Sequence, residues 1–379
     1  MRKNYLLTPG PTPIPPQVSQ EEAKPIIHHR TPQFQAVIKE VSEGLKYVFQ
    51  TGSSVYILAS SGTGAMEAAV VNLLSPGDTV ITVEGGKFGE RWTEICQAYG
   101  ITADVIKVEW GKAVDPKEIE KRLKNNSKIK AVFTTLCETS TGVTNDIQAI
   151  GAVIKNTGAV LVVDAISGLG AVDLKIDAWG VDVCVSGSQK GLMLPPGLAF
   201  ISISAKAWKL VEAAKCPRYY FDMKEAKKAL EKTDTPYTPA ISLIIALAES
   251  LRMMKQDGLE NVFARHRKMA DATRCAMKAL GLELLFAPTA ASDVVTAVKV
   301  PAGLDGEKLV KTMRDNYGVT FAGGQAELKG KVFRMAHMGF IEEFDIIVGI
   351  SCLEKVLKQM GYKFELGAGV KAAEEVFLK

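Results

Sequence analysis

Between about residues 55 and 205, short apolar runs alternate with helical patterns, and this alternation restricts the fold more than any other feature of the chain. "VYILAS" gives way to the small-residue pattern "TGAMEAAVVNLL", "DTVITVE" to "FGERWTEICQAYG", and "TADVIKVEW" to "PKEIEKRLKN". "IKAVFTTLC" precedes "DIQAIGAVIKNTG", and "AVLVVDAIS" and "VDVCVSGS" follow. Strands that are apolar throughout are buried on both faces, and helices between them supply the covering layers. The predicted class is therefore α/β, with a mainly parallel central sheet. Beyond about residue 240 the long helical stretch "ISLIIALAESLRMMKQDG" is followed by strand-like "VVTAVKVP", helical "GEKLVKTMRDNYG" and "KVFRMAHMG", a smaller α+β unit. The boundary falls near residue 255, dividing residues 16–255 from 256–379, with residues 1–15 as a separate amino-terminal segment.

Length and charge exclude several classes. A chain of 379 residues suffices for one large domain and a smaller companion, and 47% hydrophobic with 23% charged residues is ordinary globular composition. A net charge of +4 with no basic run interleaved with aromatics gives no footprint for nucleic acid. No stretch reaches the roughly 20 apolar residues of a membrane span, and the start "MRKNYLLTPGPTPIPP" meets proline before an apolar signal core could form. The six cysteines are scattered without a CxxC pair, which fits reduced thiols in a cytoplasmic protein. No metal-ligand spacing is present: His28 and His29 are adjacent, and His266 and His337 stand alone.

In parallel sheets ligands collect at the carboxyl ends of the strands, so the residues just after each apolar run carry the chemistry. Ser60-Ser61-Gly62-Thr63-Gly64 follows the first run; small residues there let backbone N–H groups approach an anion, or simply form a capped turn. It lacks the GKS or GKT ending of a P-loop. Asp164 ends "AVLVVD", where a carboxylate is expensive unless a cation meets it or it caps a helix. Cys137 to Gly142, "CETSTG", clusters hydroxyls at another strand end, or is plain turn chemistry. Lys190, in "SGSQKGLMLPPG", stands between segments that look buried, an unusual place for an ammonium. One ligand accounts for all four: pyridoxal 5'-phosphate, whose phosphate needs a cradle, whose pyridine nitrogen needs an acid, and whose aldehyde needs an amine.

With these residues in place, the sequence resembles the class V aminotransferases of the fold-type I pyridoxal-phosphate enzymes, closest to the alanine–glyoxylate and serine–pyruvate (serine–glyoxylate) branch. The resemblance spans nearly the whole chain and rests on "SSGTGAMEAA", "GKFGERW", "ETSTGV", "VDAISGLG", "SGSQKGLMLPPG" and "KVFRMAHMG". It implies that Lys190 bonds the cofactor aldehyde as an imine and that Asp164 pairs with the pyridine nitrogen. Ser61, Gly62, Thr63 and Gln189 would hold the phosphate, Thr139 would sit near the ring hydroxyl, and Phe88 would stack on the ring where many relatives carry tryptophan. Tyr237 and Thr238, in "TDTPYTPAISL", match a segment that reaches across a homodimer to the neighbour's phosphate, giving shared active sites. Arg334 matches the clamp for the substrate carboxylate, and Gly10 lies in a segment lining the active-site mouth. From the residues alone Arg334 reads as a surface or strand-edge arginine.

The implied reaction is ping-pong transfer of an amino group from alanine or serine to glyoxylate or pyruvate. Other donors stay open, among them aspartate, ureidoglycine and aminoethylphosphonate. A cysteine desulfurase would want a nucleophilic cysteine in the carboxy-terminal domain, and "GVTFAGGQAELKGKVFRMAH" has none before Arg334. A non-catalytic subunit built on the same fold is the reading from a different class.

Overall fold

The structure, a computed structural model, describes residues 3–379. Its centre is a seven-stranded sheet of β1 (Val55–Leu58), β2 (Thr79–Glu84), β3 (Thr102–Lys107), β4 (Ile129–Thr135), β5 (Val160–Asp164), β6 (Val183–Gly187) and β7 (Ala199–Ile203). The strand order is β1-β7-β6-β5-β4-β2-β3. Only β7 runs against its neighbours, pairing antiparallel with both β1 and β6, so β1 still points the same way as the other strands. The sheet is thus α/β and mainly parallel, as the run of apolar strands predicts. The sequence reading omits β7, because "LPPGLAF" shows an apolar stretch behind prolines rather than a bounded strand.

Helices cover both faces. On one side lie α1 (Pro32–Phe49) and, after the sheet, the helix Ile241–Asp257; on the other lies α2 (Gly62–Leu73). In α1 the buried residues Phe34, Ile38, Val41, Leu45 and Val48 recur every three or four positions, which puts them on one stripe. Burying each such side chain is worth about 1.5–3 kcal/mol. Thr31 caps α1 by accepting from the Phe34 N–H at 3.4 Å, and Pro32 suits its first turn.

α3 (Lys87–Ala98) follows β2 and packs back on it. After Gly258 the chain enters the helix Leu259–Ala279, whose residues from Met269 onward join a separate apolar core with the carboxy-terminal helices. That core backs a three-stranded antiparallel sheet of β8 (Val295–Lys299), β9 (Ala322–Gly323) and β10 (Val332–Ala336), with β10 in the middle. The amino-terminal segment joins this smaller unit: Tyr5–Leu6 pairs in parallel with Val319–Thr320, and Leu7 is buried in the second core. The same segment then crosses to the large sheet, where Thr12 N–H donates to the Gln189 carbonyl at 3.2 Å. No helix of the described residues is long and apolar enough to cross a membrane, and among them no group of His, Cys, Asp or Glu could hold a metal ion.

Candidate active site

The site assembles at the carboxyl ends of β1, β2, β4, β5 and β6. Lys190 lies three residues past β6, in a turn tied down from both sides. The Ser188 hydroxyl donates to the Pro195 carbonyl at 2.7 Å and accepts from the Leu198 N–H at 3.2 Å, and the Met193 N–H returns to the Lys190 carbonyl at 3.0 Å. The Thr12 hydroxyl donates to that same carbonyl at 3.1 Å. So fixed, the lysine is buried, with 9% of its surface exposed, and its ammonium donates to the Pro9 carbonyl. Burial brings its pKa down to about 8, against the opposing pull of Asp164 and with Arg334 adding repulsion. Gly10, at φ +113°, lies directly against it: a Cβ there would collide with the lysine side chain.

Asp164 is the last residue of β5. Its backbone is locked by Leu136 N–H, which donates to the Asp164 carbonyl at 2.8 Å, and its carboxylate accepts from Ile166 N–H at 2.8 Å. Burial pushes the carboxyl up to about 7, more than that hydrogen bond and the charges of Arg91 and Lys190 pull it down. An acid so placed gains from a cation brought against it. Ile166 meanwhile packs on Gly62, where a Cβ would come within 2.5 Å of its Cδ1.

Gly62 opens α2, and Ser61 is its N-cap residue but makes no side-chain capping bond. The first-turn N–H groups of a helix lack intrahelical partners and favour an anion. Ser61 and Thr63 are exposed, so this turn opens outward. Gln189 reaches the same place: an ideal Cβ at Gly187 would lie 3.2 Å from Gln189 Oε1 and 3.6 Å from the Gly62 nitrogen. That Oε1 is buried without a hydrogen-bond partner. Since the two ends of an amide exchange by rotation, the side chain can equally present its NH2 to an anion.

Two groups that the sequence reading did not assign complete the arrangement. Glu138, buried after β4, accepts from the Phe88 and Gly89 N–H groups at 3.1 and 2.9 Å, capping α3. Burial raises its pKa while bonds from Ser140, Gly89 and Phe88 oppose that. Arg91, one turn along α3, lies over the Phe88 ring with its guanidinium carbon 5.1 Å from the centroid. Phe88 and Arg91 are three apart in one motif, and Glu138 is the lone carboxylate among hydroxyls; those were the available signals.

Arg334 is no edge residue. It sits in β10 between β8 and β9, 4% exposed, and the reading from its residues alone fails because the small sheet has strands on both sides of it. Its Nε and Nη2 donate to the Gly323 carbonyl at 3.0 and 2.8 Å, and Nη1 to the Thr139 carbonyl at 2.9 Å. A guanidinium has five N–H groups, so one remains on each terminal nitrogen, the pair suited to a carboxylate. Burial brings its pKa down to about 10, leaving it cationic at neutral pH.

Tyr237 and Thr238 line a small cavity with Leu58 and Ala59, at the end of β1 just before the Ser61–Thr63 turn. Tyr237 stacks with Tyr219 and Tyr220 at ring separations of 5.9 and 5.1 Å and donates to the Tyr219 carbonyl at 3.2 Å. Among the described residues no hydrogen bond or ring contact joins them to Lys190, Asp164 or the Ser61–Thr63 turn.

A buried amine, a buried acid and an outward-opening helix N-terminus with an unpartnered amide beside it fit pyridoxal phosphate, group by group. The comparisons agree. The family model for class V aminotransferases matches residues 4–338, and the chain belongs to that family. It is 46% identical over 99% of its length to the soluble hydrogenase 42 kDa subunit of Anabaena cylindrica, 99% of which is covered. Two glyoxylate aminotransferases are each 38% identical: the L-aspartate–glyoxylate enzyme of Paracoccus denitrificans (98% of this chain, 96% of that one) and the serine–glyoxylate enzyme of Hyphomicrobium methylovorum (99% and 95%). Among solved structures, the ureidoglycine–glyoxylate aminotransferase of Bacillus subtilis superposes with a TM-score of 0.96 at 29% identity, covering 100% of this chain and 99% of that one. The fold is that of the fold-type I pyridoxal-phosphate enzymes, and the protein is a class V aminotransferase with pyridoxal phosphate as its cofactor.

Proposed function

We propose that this enzyme moves the amino group of a small amino acid, alanine or serine, to glyoxylate or pyruvate by a ping-pong mechanism. What supports this reading is the buried Lys190 amine beside the strand end that carries Asp164, together with a buried Arg334 that keeps two N–H groups for a carboxylate. Pyridoxal phosphate, when bound, supplies an aldehyde that condenses with amines and a pyridine ring that takes up electrons from the substrate's α-carbon. Asp164 would accept from the pyridine N–H, and Ser61, Gly62, Thr63 and Gln189 would hold the phosphate. Phe88 would cover one ring face and keep water from it, and Thr139 would stand by the ring hydroxyl.

Arg334 binds the incoming carboxylate with its two remaining N–H groups, which fixes the α-carbon relative to Lys190. The lysine amine, with its pKa near 8, is partly neutral at neutral pH and can take the α-proton and return it one atom away. Gly10 leaves room for that lysine to move. Two halves of this reaction, run in opposite directions on two substrates, constitute the exchange.

Glyoxylate recurs as acceptor in the names of the Paracoccus, Hyphomicrobium and Bacillus relatives, which supports it here. Aspartate is the second reading, favoured by the Paracoccus enzyme at the same identity as the serine one. We assign Tyr237 and Thr238 to the phosphate of a second copy, since they sit on the surface beside Ala59 while the Ser61–Thr63 turn lies open to solvent. The domain division near residue 255 and a cytoplasmic setting belong to the same reading. Keto-acid release from alanine, serine and aspartate in single turnover, without acceptor, tests the donor. Pyruvate or hydroxypyruvate from the first two supports the proposal, and release from aspartate alone overturns it in favour of the second reading.

A further inference from the structure

Among the described residues, Arg91 is the cation of α3 with no carboxylate in ion-pair distance. The acids on its own helix, Glu90 and Glu94, are both taken by Lys87, at 2.8 and 3.1 Å. Among the described residues no carboxylate pairs with the Arg91 guanidinium, yet the side chain is half-buried and ordered by two contacts. Its Nη1 donates to the Thr63 hydroxyl at 3.2 Å, and its plane lies over the Phe88 ring.

Both contacts bear on the cofactor site. Thr63 is the second residue of α2, at the end where unpartnered N–H groups favour an anion. A hydroxyl has one proton and two lone pairs. When the guanidinium occupies a lone pair, the proton is turned away from Arg91, which narrows the directions in which Thr63 can donate. On the other side, the guanidinium covers one face of Phe88 and leaves the opposite face to meet a ring. A cation braced against the Phe88 ring restricts its tilt. The charge also reaches inward: after burial, which dominates both, Arg91 is among the groups that bear on Asp164 and on Lys190.

We propose that Arg91 is a positioning residue for the phosphate end of the cofactor, orienting the Thr63 hydroxyl toward the phosphate and supplying an uncompensated positive charge beside it. The inference rests on the assignment of Ser61–Thr63 as the phosphate cradle.

The test uses cofactor-stripped protein and two ligands, pyridoxal 5'-phosphate and pyridoxal, which lacks the phosphate. Dissociation constants come from absorbance titration of wild type, Arg91→Gln, Arg91→Lys and Thr63→Val. Arg91→Gln is expected to weaken binding of the phosphorylated ligand by about tenfold or more, the scale of one charge-assisted contact, with pyridoxal binding within about twofold of wild type. Arg91→Lys should recover part of the loss, and Arg91→Gln should cost less once Thr63→Val is present, the remaining cost being that of the charge itself. Equal losses for both ligands, or none for the phosphorylated one, would overturn the inference while leaving the cradle in place. A wild-type protein that binds both ligands alike would remove the cradle, and the inference with it.

Discussion

Glu138 holds the start of the helix that carries Phe88: its carboxylate accepts the Phe88 N–H at 3.1 Å and the Gly89 N–H at 2.9 Å. A buried acid at that position combines a cap with a favourable interaction with the helix dipole. It also couples the strand end after β4 to Phe88, the ring proposed to cover the cofactor. Glu138→Ala should therefore act on two readouts. Stability should fall by roughly 1.5–3 kcal/mol, the range for a hydrogen bond to a charged group. The visible circular dichroism of the bound cofactor should change as Phe88 loosens. Unchanged dichroism in a folded variant would show that Glu138 serves stability alone.

Lys190→Ala should abolish multiple turnover while the protein still takes up cofactor through its phosphate. Turnover retained above the level of free pyridoxal phosphate would contradict the assignment of this lysine as the proton carrier.

Asp164 gives a pH dependence with a definite sign. Burial raises its carboxyl from 3.8 to about 7 in the cofactor-free protein, so the folded chain holds this proton more tightly than the unfolded one. Its contribution to stability is therefore favourable in acid and is lost as pH rises from about 4 to 7, by roughly 4 kcal/mol at most. Asp164→Asn keeps an acceptor for Ile166 N–H and has no such dependence. In cofactor-free protein the melting temperature of the variant should rise relative to wild type as pH goes from 4 to 7 and level off above. A difference that stays constant with pH would count against an unpaired buried acid.

Gly10→Ala places a methyl group against the Lys190 side chain at a backbone φ of +113°. Strain of this kind costs about 1–3 kcal/mol. The variant should lose stability in that range and lose kcat by more than tenfold. A fully active variant would mean that the amino-terminal segment stands clear of the lysine during turnover.

These residues also show where sequence was sufficient. The strands β4, β5 and β6 were readable because a strand buried on both faces is apolar along nearly its whole length, whereas the edge strand β3 showed only as a short β-branched run, and Asp164 and Lys190 stood out as charges at the mouths of the buried strands. Thr139 and Arg334 were assigned through the resemblance, and the structure joins them by the 2.9 Å bond from Nη1 to the Thr139 carbonyl. Arg91 was masked because "KFGERWTE" reads as a charged helix face, and its three-residue step from Phe88 is a signal only once Phe88 is placed at the site. The contact between Lys190 and Pro9 was beyond any pattern, since a backbone carbonyl has no residue signature. Arg334 as a buried residue depended on β9 pairing outside β10, and a strand of two residues leaves almost no periodicity to find.

The central claim is that Lys190, Asp164 and Arg334 serve amino-group transfer from a small amino acid. The most direct measurement is the visible absorption of purified protein with its cofactor, followed through additions of alanine, serine and aspartate and then of glyoxylate or pyruvate. The account predicts that alanine or serine bleaches the visible cofactor band and that glyoxylate or pyruvate restores it, with the matching keto acid and amino acid released. A band that none of the three donors shifts would contradict it.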